Sequence, residues 1–257
     1  MKMVKRYYFA GIIPARYASS RFPGKSLVTI AGKTMIQRVY EQASKSLDTV
    51  YVATDDSRIF ETVSGFGGKA VMTSHEHRSG TDRCAEAAAE IMKLEGTTID
   101  VVVNIQGDEP FIRPGQIDLL MSCFADKSVE IATLVRKVEP GEDIFTPNHP
   151  KVVLDKWGNA IYFSRAAIPF IRDIKRDKWT TSHIYYKHLG LYAYRTDTLN
   201  KITALPYSLL EKAESLEQNR WLENGFKIRT ALTDWESICI DTPDDLEKAR
   251  KYFDQFK

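Results

Sequence analysis

Three short stretches combine residue types that can handle phosphate and a hard metal ion. The run Pro14-Ala15-Arg16-Tyr17-Ala18-Ser19-Ser20-Arg21-Phe22-Pro23-Gly24-Lys25 brings Arg16, Arg21 and Lys25 together with two serine hydroxyls and a glycine. Guanidinium and ammonium groups beside hydroxyls suit an anionic ligand such as a triphosphate; a solvated surface loop is the plainer reading. Gln106-Gly107-Asp108-Glu109-Pro110 follows the apolar run Val101–Ile105. A carboxylate pair at the tip of a buried strand is placed to hold Mg²⁺, unless it is only an acidic turn before a proline. Ile238-Cys239-Ile240-Asp241-Thr242-Pro243 again sets an aspartate where an apolar run gives way to a helix, a place where Asp241 or Thr242 would also serve as a cap. If Asp108 and Asp241 converge on one ion while Arg16 and Lys25 neutralise phosphate oxygens, the set fits phosphoryl or nucleotidyl transfer.

Other patterns carry less. Gly32-Lys33-Thr34 looks like the end of a phosphate loop, but that pattern needs glycine at position 27, which is Leu27. A turn followed by a helix cap is expected there. Gly65, Gly67 and Gly68 do not match a dinucleotide-binding spacing, and His75-Glu76-His77 lacks a third metal ligand and reads as a polar loop. No G-x-S-x-G or Cys/His nucleophile pattern occurs. Cys84, Cys123 and Cys239 are widely separated, without the spacing of zinc or redox sites, and are expected as buried free thiols.

Positioning the three stretches falls to alternating strands and helices. Phe9–Pro14, Thr49–Thr54, Lys69–Thr73, Val101–Ile105 and Glu130–Val135 read as strands, most of them apolar on both faces as in a parallel sheet covered by helices. Between them Ile36, Val39, Tyr40, Ala43 and Leu47 have helical spacing, as do Cys84, Ala87, Ala88, Ile91 and Leu94, and Ile117, Leu120, Met121 and Phe124. Thr34 with Gln37 and Thr242-Pro243 with Asp245 read as N-terminal caps. From 150 to 195 the rhythm changes to Lys151–Asp155, Ala160–Ser164 and Tyr185–Arg195, an antiparallel insertion suited to covering a site or forming an interface. A helical region over Leu209–Asn224, a strand over Phe226–Ala231 and a helix over Pro243–Phe253 complete the pattern. Such alternation predicts an α/β class with a doubly wound, mostly parallel sheet, whose ligand crevice lies beyond the C-terminal strand ends.

Composition narrows the classes. In 257 residues, 36 Lys and Arg stand against 34 Asp and Glu, with 43% hydrophobic and 27% charged residues. That balance argues against disorder and against a disulfide scaffold, and supplies no broad basic field for nucleic acid. No apolar run approaches the ~20 residues of a membrane helix, and Met1–Arg6 leads into Tyr-Tyr-Phe rather than a secretion signal. A cytoplasmic, single-domain protein spanning 1–257 is expected.

The signature Ile13–Lys25 resembles that of the 3-deoxy-manno-octulosonate (Kdo) cytidylyltransferases. The resemblance continues through Ser79-Gly80-Thr81-Asp82-Arg83, Asn104–Pro110, Lys151-Val152-Val153-Leu154-Asp155, Tyr162-Phe163-Ser164-Arg165-Ala166, His188-Leu189-Gly190, Leu216-Glu217-Gln218 and Asp241-Thr242-Pro243, nearly the whole chain in the family's order. It implies a three-layer α/β/α nucleotide-diphospho-sugar-transferase-like (Rossmann-like) fold. The implied reaction is CTP plus Kdo giving CMP-Kdo and pyrophosphate with Mg²⁺, in a cytoplasmic homodimer that supplies lipopolysaccharide synthesis. It further implies Arg16 and Lys25 as phosphate clamps with Ser19 assisting, Ser79, Gly80 and Gln106 as nucleoside contacts, and Asp108 and Asp241 as Mg²⁺ ligands. Arg165, His188, Tyr192, Glu217 and Gln218 are the implied Kdo set, Arg165 because its planar fork matches a carboxylate. On a continuous helix Glu217 would lie along Leu210, Ala213 and Trp221, where an unpaired carboxylate is costly. Sugar hydroxyls would satisfy it, as would a neighbouring cation.

Two positions depart from the family pattern. Arg78 stands where glutamine is expected before Ser-Gly, and Asn148-His149-Pro150 precedes Lys151 in place of Asn-x-Val. Neither removes a catalytic group. The chemistry leaves two neighbouring readings: a cytidylyltransferase for 8-amino-Kdo or a sialic acid, and a non-catalytic nucleotide-binding regulator on the same fold.

Overall fold

Ile12 and Ile13 are adjacent in sequence and both wholly buried, as are Val101, Val102 and Val103. Successive strand side chains point to opposite faces, so strands of this kind must be covered on both sides. A computed structural model of the chain, describing residues 7–18, 22–236 and 238–254, has that arrangement. Its strands are β1 Phe9–Ala15, β2 Thr29–Ile30, β3 Lys33–Thr34, β4 Val50–Thr54, β5 Ala70–Met72, β6 Val101–Asn104, β7 Ile131–Lys137, β8 Lys151–Leu154, β9 Ala160–Ser164, β10 Tyr186–Arg195 and β11 Ile228–Leu232. Its helices are α1 Met35–Ala43, α2 Ser57–Gly65, α3 Gly80–Glu95, α4 Pro114–Ser122, α5 Trp179–Ser182, α6 Thr196–Thr203, α7 Leu209–Glu214, α8 Gln218–Glu223 and α9 Pro243–Asp254. The chain forms two compact units. One takes in the described residues of 1–118, 193–203 and 237–257, the other residues 119–192 and 204–236.

In the first unit β6, β1, β4 and β5 lie side by side. All run parallel, with Phe9 opposite Val101, Gly11 opposite Val50 and Val52 opposite Ala70. Parallel strands release their C-terminal ends on one edge, which is where such a sheet builds a ligand site. In the second unit β11 pairs parallel with β7, β7 neighbours β10, and β8 pairs antiparallel with both β10 and β9. The mostly parallel α/β sheet and its antiparallel piece between 150 and 195 are therefore both present.

The caps occur as expected. Thr34 Oγ1 accepts from Gln37 N at 3.3 Å. At α9, Thr242 Oγ1 accepts from Asp245 N while Asp245 Oδ2 accepts from Thr242 N, each satisfying a first-turn donor. Among the described residues no helix is long and apolar enough to cross a membrane.

Several elements differ from expectation. The helix expected over Leu209–Asn224 is two helices, because Ser215 adopts the left-handed conformation (φ 51°) and its N–H turns back to Glu211 O. Leu210 is consequently 38% exposed and shares no apolar stripe with Trp221. Helix α2 and the β2–β3 hairpin were not anticipated: α2 buries only Ile59 and Val63, too few positions for a periodic signal, and the hairpin strands are two residues each. The cysteines also diverge, since Cys84 is buried, Cys123 is half-buried and Cys239 is exposed.

Candidate active site

Pro14, next to last in β1, is the point on which the first unit's site is built. A Cβ on Gly107 would lie 3.0 Å from Pro14 O, and one on Gly80 would lie 3.2 Å from Pro14 Cγ. Glycine at both places lets the acidic turn after β6 and the start of α3 press against the end of β1. Arg16 follows directly on β1 and is exposed, Gly80 opens α3, and Gln106 is half-buried ahead of Gly107. Ser79 caps α3, its hydroxyl accepting from Asp82 N at 3.1 Å. Ser19 lies outside the described residues.

Lys25 is brought in by a tight turn. Gly24 takes the left-handed conformation (φ 71°) and donates to Tyr17 O at 2.9 Å. A Cβ at Gly24 would come 3.0 Å from the Tyr17 ring, against which the Arg58 guanidinium lies 3.3 Å from the centroid. The short turn Lys25–Leu27 that follows delivers the ammonium.

Asp108 and Asp241 meet at that ammonium. Lys25 Nζ donates to Asp108 Oδ2 at 2.5 Å and to Asp241 Oδ1 at 2.9 Å, across sequence separations of 83 and 216 residues. Ile240 N donates to Asp108 O at 2.9 Å, so the two acidic segments are joined through the main chain as well. Ile240 is itself wholly buried with Ile30, Met35, Leu246 and Ala249, which anchors the segment. Burial alone would lower the Lys25 pKa, but the Asp108 and Asp241 carboxylates outweigh it and raise the pKa above the usual lysine value. Ligand atoms of Asp108, Asp241 and Cys239 all lie within 4.8 Å of one another. The donor set fits a divalent ion: two hard carboxylate oxygens already share one cation, the Lys25 ammonium. The sequence leads one to expect Cys239 as a buried thiol; its place two residues before Asp241 was the signal that could have put it here.

The residues implied for sugar binding all lie in the second unit. His188 and Tyr192 stand on β10 in a line of rings. His188 is 5.0 Å from Phe163 and 5.2 Å from Tyr192, and Tyr192 is 5.3 Å from Trp221. His188 Nε2 is 3.1 Å from Thr133 Oγ1, and desolvation pushes the imidazole pKa down to about 3, so the ring is neutral. Desolvation first, and then the Glu217 carboxylate, raise the Tyr192 pKa well above the usual value. Glu217 accepts from Arg220 Nη2 at 2.9 Å, the neighbouring-cation pairing. Gln218 is 5% exposed, and its Nε2 has no hydrogen-bond partner among the described residues. A buried donor in that state calls for a ligand or an ordered water.

Arg165 is held in a separate knot of hydrogen bonds. Its Nε donates to Glu214 O at 2.7 Å, Nη1 to Pro147 O at 3.0 Å and Nη2 to Ser215 O at 3.2 Å. A guanidinium has five N–H donors, so three are spent on main-chain carbonyls here. The buried Lys151 ammonium ties Arg165 O to Thr146 O at 2.6 and 2.7 Å. His77 pairs with Glu86, as suits a polar loop rather than a metal site.

Comparisons with known proteins agree with this chemistry. A family profile described as cytidylyltransferase matches residues 10–228. The chain is 59% identical over 245 residues to a 3-deoxy-manno-octulosonate cytidylyltransferase of Parabacteroides distasonis, covering 94% of this chain and 96% of that one. It is 58% identical over 247 residues to the protein of the same name from Bacteroides thetaiotaomicron, covering 95% and 97%. A solved structure of CMP:2-keto-3-deoxy-manno-octonic acid synthetase complexed with CTP is 42% identical, with a TM-score of 0.87, and covers 97% of this chain and 99% of that one. A cytidylyltransferase from Leptospira borgpetersenii, at 17% identity and a TM-score of 0.64, shares the fold. With this sequence likeness spanning almost its full length, the chain belongs to the 3-deoxy-manno-octulosonate cytidylyltransferase family.

Proposed function

We infer that this chain transfers CMP from CTP to Kdo, releasing pyrophosphate. The observation that carries the reading is the meeting of Asp108 and Asp241 on Lys25 at the C-terminal edge of a parallel sheet. In the reaction the anomeric oxygen of the sugar forms a bond to the α-phosphorus in line. The bond from that phosphorus to the pyrophosphate oxygen breaks, and the hydroxyl proton passes to solvent. Such a transfer needs position and charge neutralisation more than covalent help.

Each group then has a task. Arg16 and Lys25 grip the phosphates, Lys25 turning its ammonium from the carboxylates to phosphate oxygens when CTP enters. Ser19, Ser79, Gly80 and Gln106 line the nucleotide. Asp108 and Asp241 hold Mg²⁺, which when bound withdraws charge from phosphate oxygens and acidifies the sugar hydroxyl. Arg165 offers its two remaining N–H donors to the sugar carboxylate. Neutral His188, Tyr192, Glu217 and the Gln218 amide, whose Nε2 lacks a partner among the described residues, bond the sugar hydroxyls. The 1–257 chain works as one cytidylyltransferase domain in a cytoplasmic homodimer serving lipopolysaccharide synthesis, with the 150–195 segment as sugar-site cover and dimer interface.

A pyrophosphate-release assay with Mg²⁺ tests this. Kdo is paired with each of the four nucleotides, and CTP with a panel of sugar acids. Release with CTP and Kdo is expected to exceed every other pairing. Preference for 8-amino-Kdo or a sialic acid reassigns the sugar; binding of CTP without release under any pairing makes the chain a regulator.

A further inference from the structure

The thiol of Cys239 has no part in the transfer, yet it stands among the groups given to the metal. Its Sγ and one carboxylate oxygen each from Asp108 and Asp241 lie within 4.8 Å of one another. A tetrahedral ion with one sulfur at about 2.3 Å and oxygens at about 2.1 Å needs ligand atoms about 3.5 Å apart. Small side-chain adjustments reach that spacing. The scaffold is fixed: Ile240 is wholly buried and its N–H is bonded to Asp108 O, while Cys239 beside it is an exposed residue. The Lys25 ammonium between the two carboxylates shows that this place accepts a cation.

We propose that Cys239 makes this a mixed oxygen–sulfur site that captures a thiophilic divalent ion of the zinc class in competition with Mg²⁺. The proposal rests on the reading that Asp108 and Asp241 are metal-holding carboxylates. Mg²⁺ is hard, takes oxygen ligands and gains nothing from the sulfur, whereas zinc-class ions bind thiolate strongly. On capture the sulfur–metal bond forms, the thiol proton leaves to solvent, and the Lys25 ammonium is displaced from both carboxylates. A thiophilic ion held there withdraws both acids from the phosphate chemistry, so the same ion inhibits transfer.

The test is titration of the metal-free full chain with Cd²⁺, followed by the ultraviolet thiolate-to-metal charge-transfer band and by calorimetry. Wild type should bind with that band, and excess Mg²⁺ should shift the titration to higher Cd²⁺. Cys239→Ser should abolish the band and weaken binding by about 100-fold, with Cys84 and Cys123 still present as internal controls. Asp108→Asn and Asp241→Asn should each keep the band but weaken binding by about tenfold or more. An unchanged band and affinity in Cys239→Ser overturns the proposal. So does a Cys239-dependent band indifferent to both aspartate variants and to Mg²⁺, which would also count against those carboxylates as metal ligands. Absence of the band in a chain whose Mg²⁺-dependent pyrophosphate release is intact would reject the mixed site and leave the transferase reading standing.

Discussion

At Lys25 one ammonium is shared by two carboxylates, so changing one acid leaves the other bond in place. Asp108→Asn keeps the Lys25–Asp241 contact at 2.9 Å while removing a charge that matters most when phosphate charge is redistributed. Turnover is expected to fall by about 1,000-fold with less than about tenfold change in CTP affinity. Steady-state pyrophosphate release beside equilibrium CTP binding checks this, and equal turnover at saturating Mg²⁺ would discard the assignment. His188 makes a pH prediction. Its folded pKa of about 3 lies below the ordinary 6.5, so between those values the unfolded chain binds more protons. Stability from this group is complete above pH 6.5 and is lost as pH falls toward 3. Denaturant melts over that range should show a shallower acid limb in His188→Asn than in wild type.

Among the elements, the approach of the acidic turn to β1 is set by the missing side chain at Gly107. A methyl group there meets a backbone oxygen, Pro14 O, at 3.0 Å, and backbone yields less readily than a flexible side chain. Gly107→Ala should displace the Asp108 turn by a few tenths of an ångström and lower turnover by about tenfold, since small misplacements of catalytic groups are costly. Kinetics with a parallel melting curve separate this from simple unfolding: a variant with wild-type turnover would show that the turn position does not matter. The break at Ser215 acts at the same level. It ends α7 and exposes to Arg165 the carbonyls of Glu214 and Ser215 that a continuous helix would have used internally.

For the whole molecule, the link between site and stability runs through Ile240. It is wholly buried in a cluster with Ile30, Met35, Leu246 and Ala249 and sits beside Asp241. Ile240→Ala should cost about 2–5 kcal/mol, read as a lowered denaturation midpoint, and should weaken activity in the molecules that remain folded. No loss of stability would mean that the cluster does not anchor the segment. Ligand linkage gives the complementary prediction. CTP with Mg²⁺ at about 100 times its dissociation constant should stabilise the fold by about 2.7 kcal/mol, seen as a raised melting temperature. GTP at the same concentration should give little shift; an equal shift would count against cytosine recognition.

Local chemistry and periodicity were legible before any fold was known. The apolar runs announced β1, β4 and β6, because strands covered on both faces have no polar side to interrupt them; β8 and β9, only partly buried, were legible as a change of rhythm after residue 150. The threonine caps of α1 and α9 depend only on neighbours three residues away, and the two aspartates stood out because each ends an apolar run. Other features depend on partners distant in the chain. No spacing rule places Lys25 between acids 83 and 216 residues away, commits the Arg165 fork to the carbonyls of Pro147, Glu214 and Ser215, or turns Cys239 from an expected core thiol into a neighbour of both aspartates. Those outcomes follow from how strands and turns pack, and packing is a sum over long-range contacts that a one-dimensional pattern does not contain.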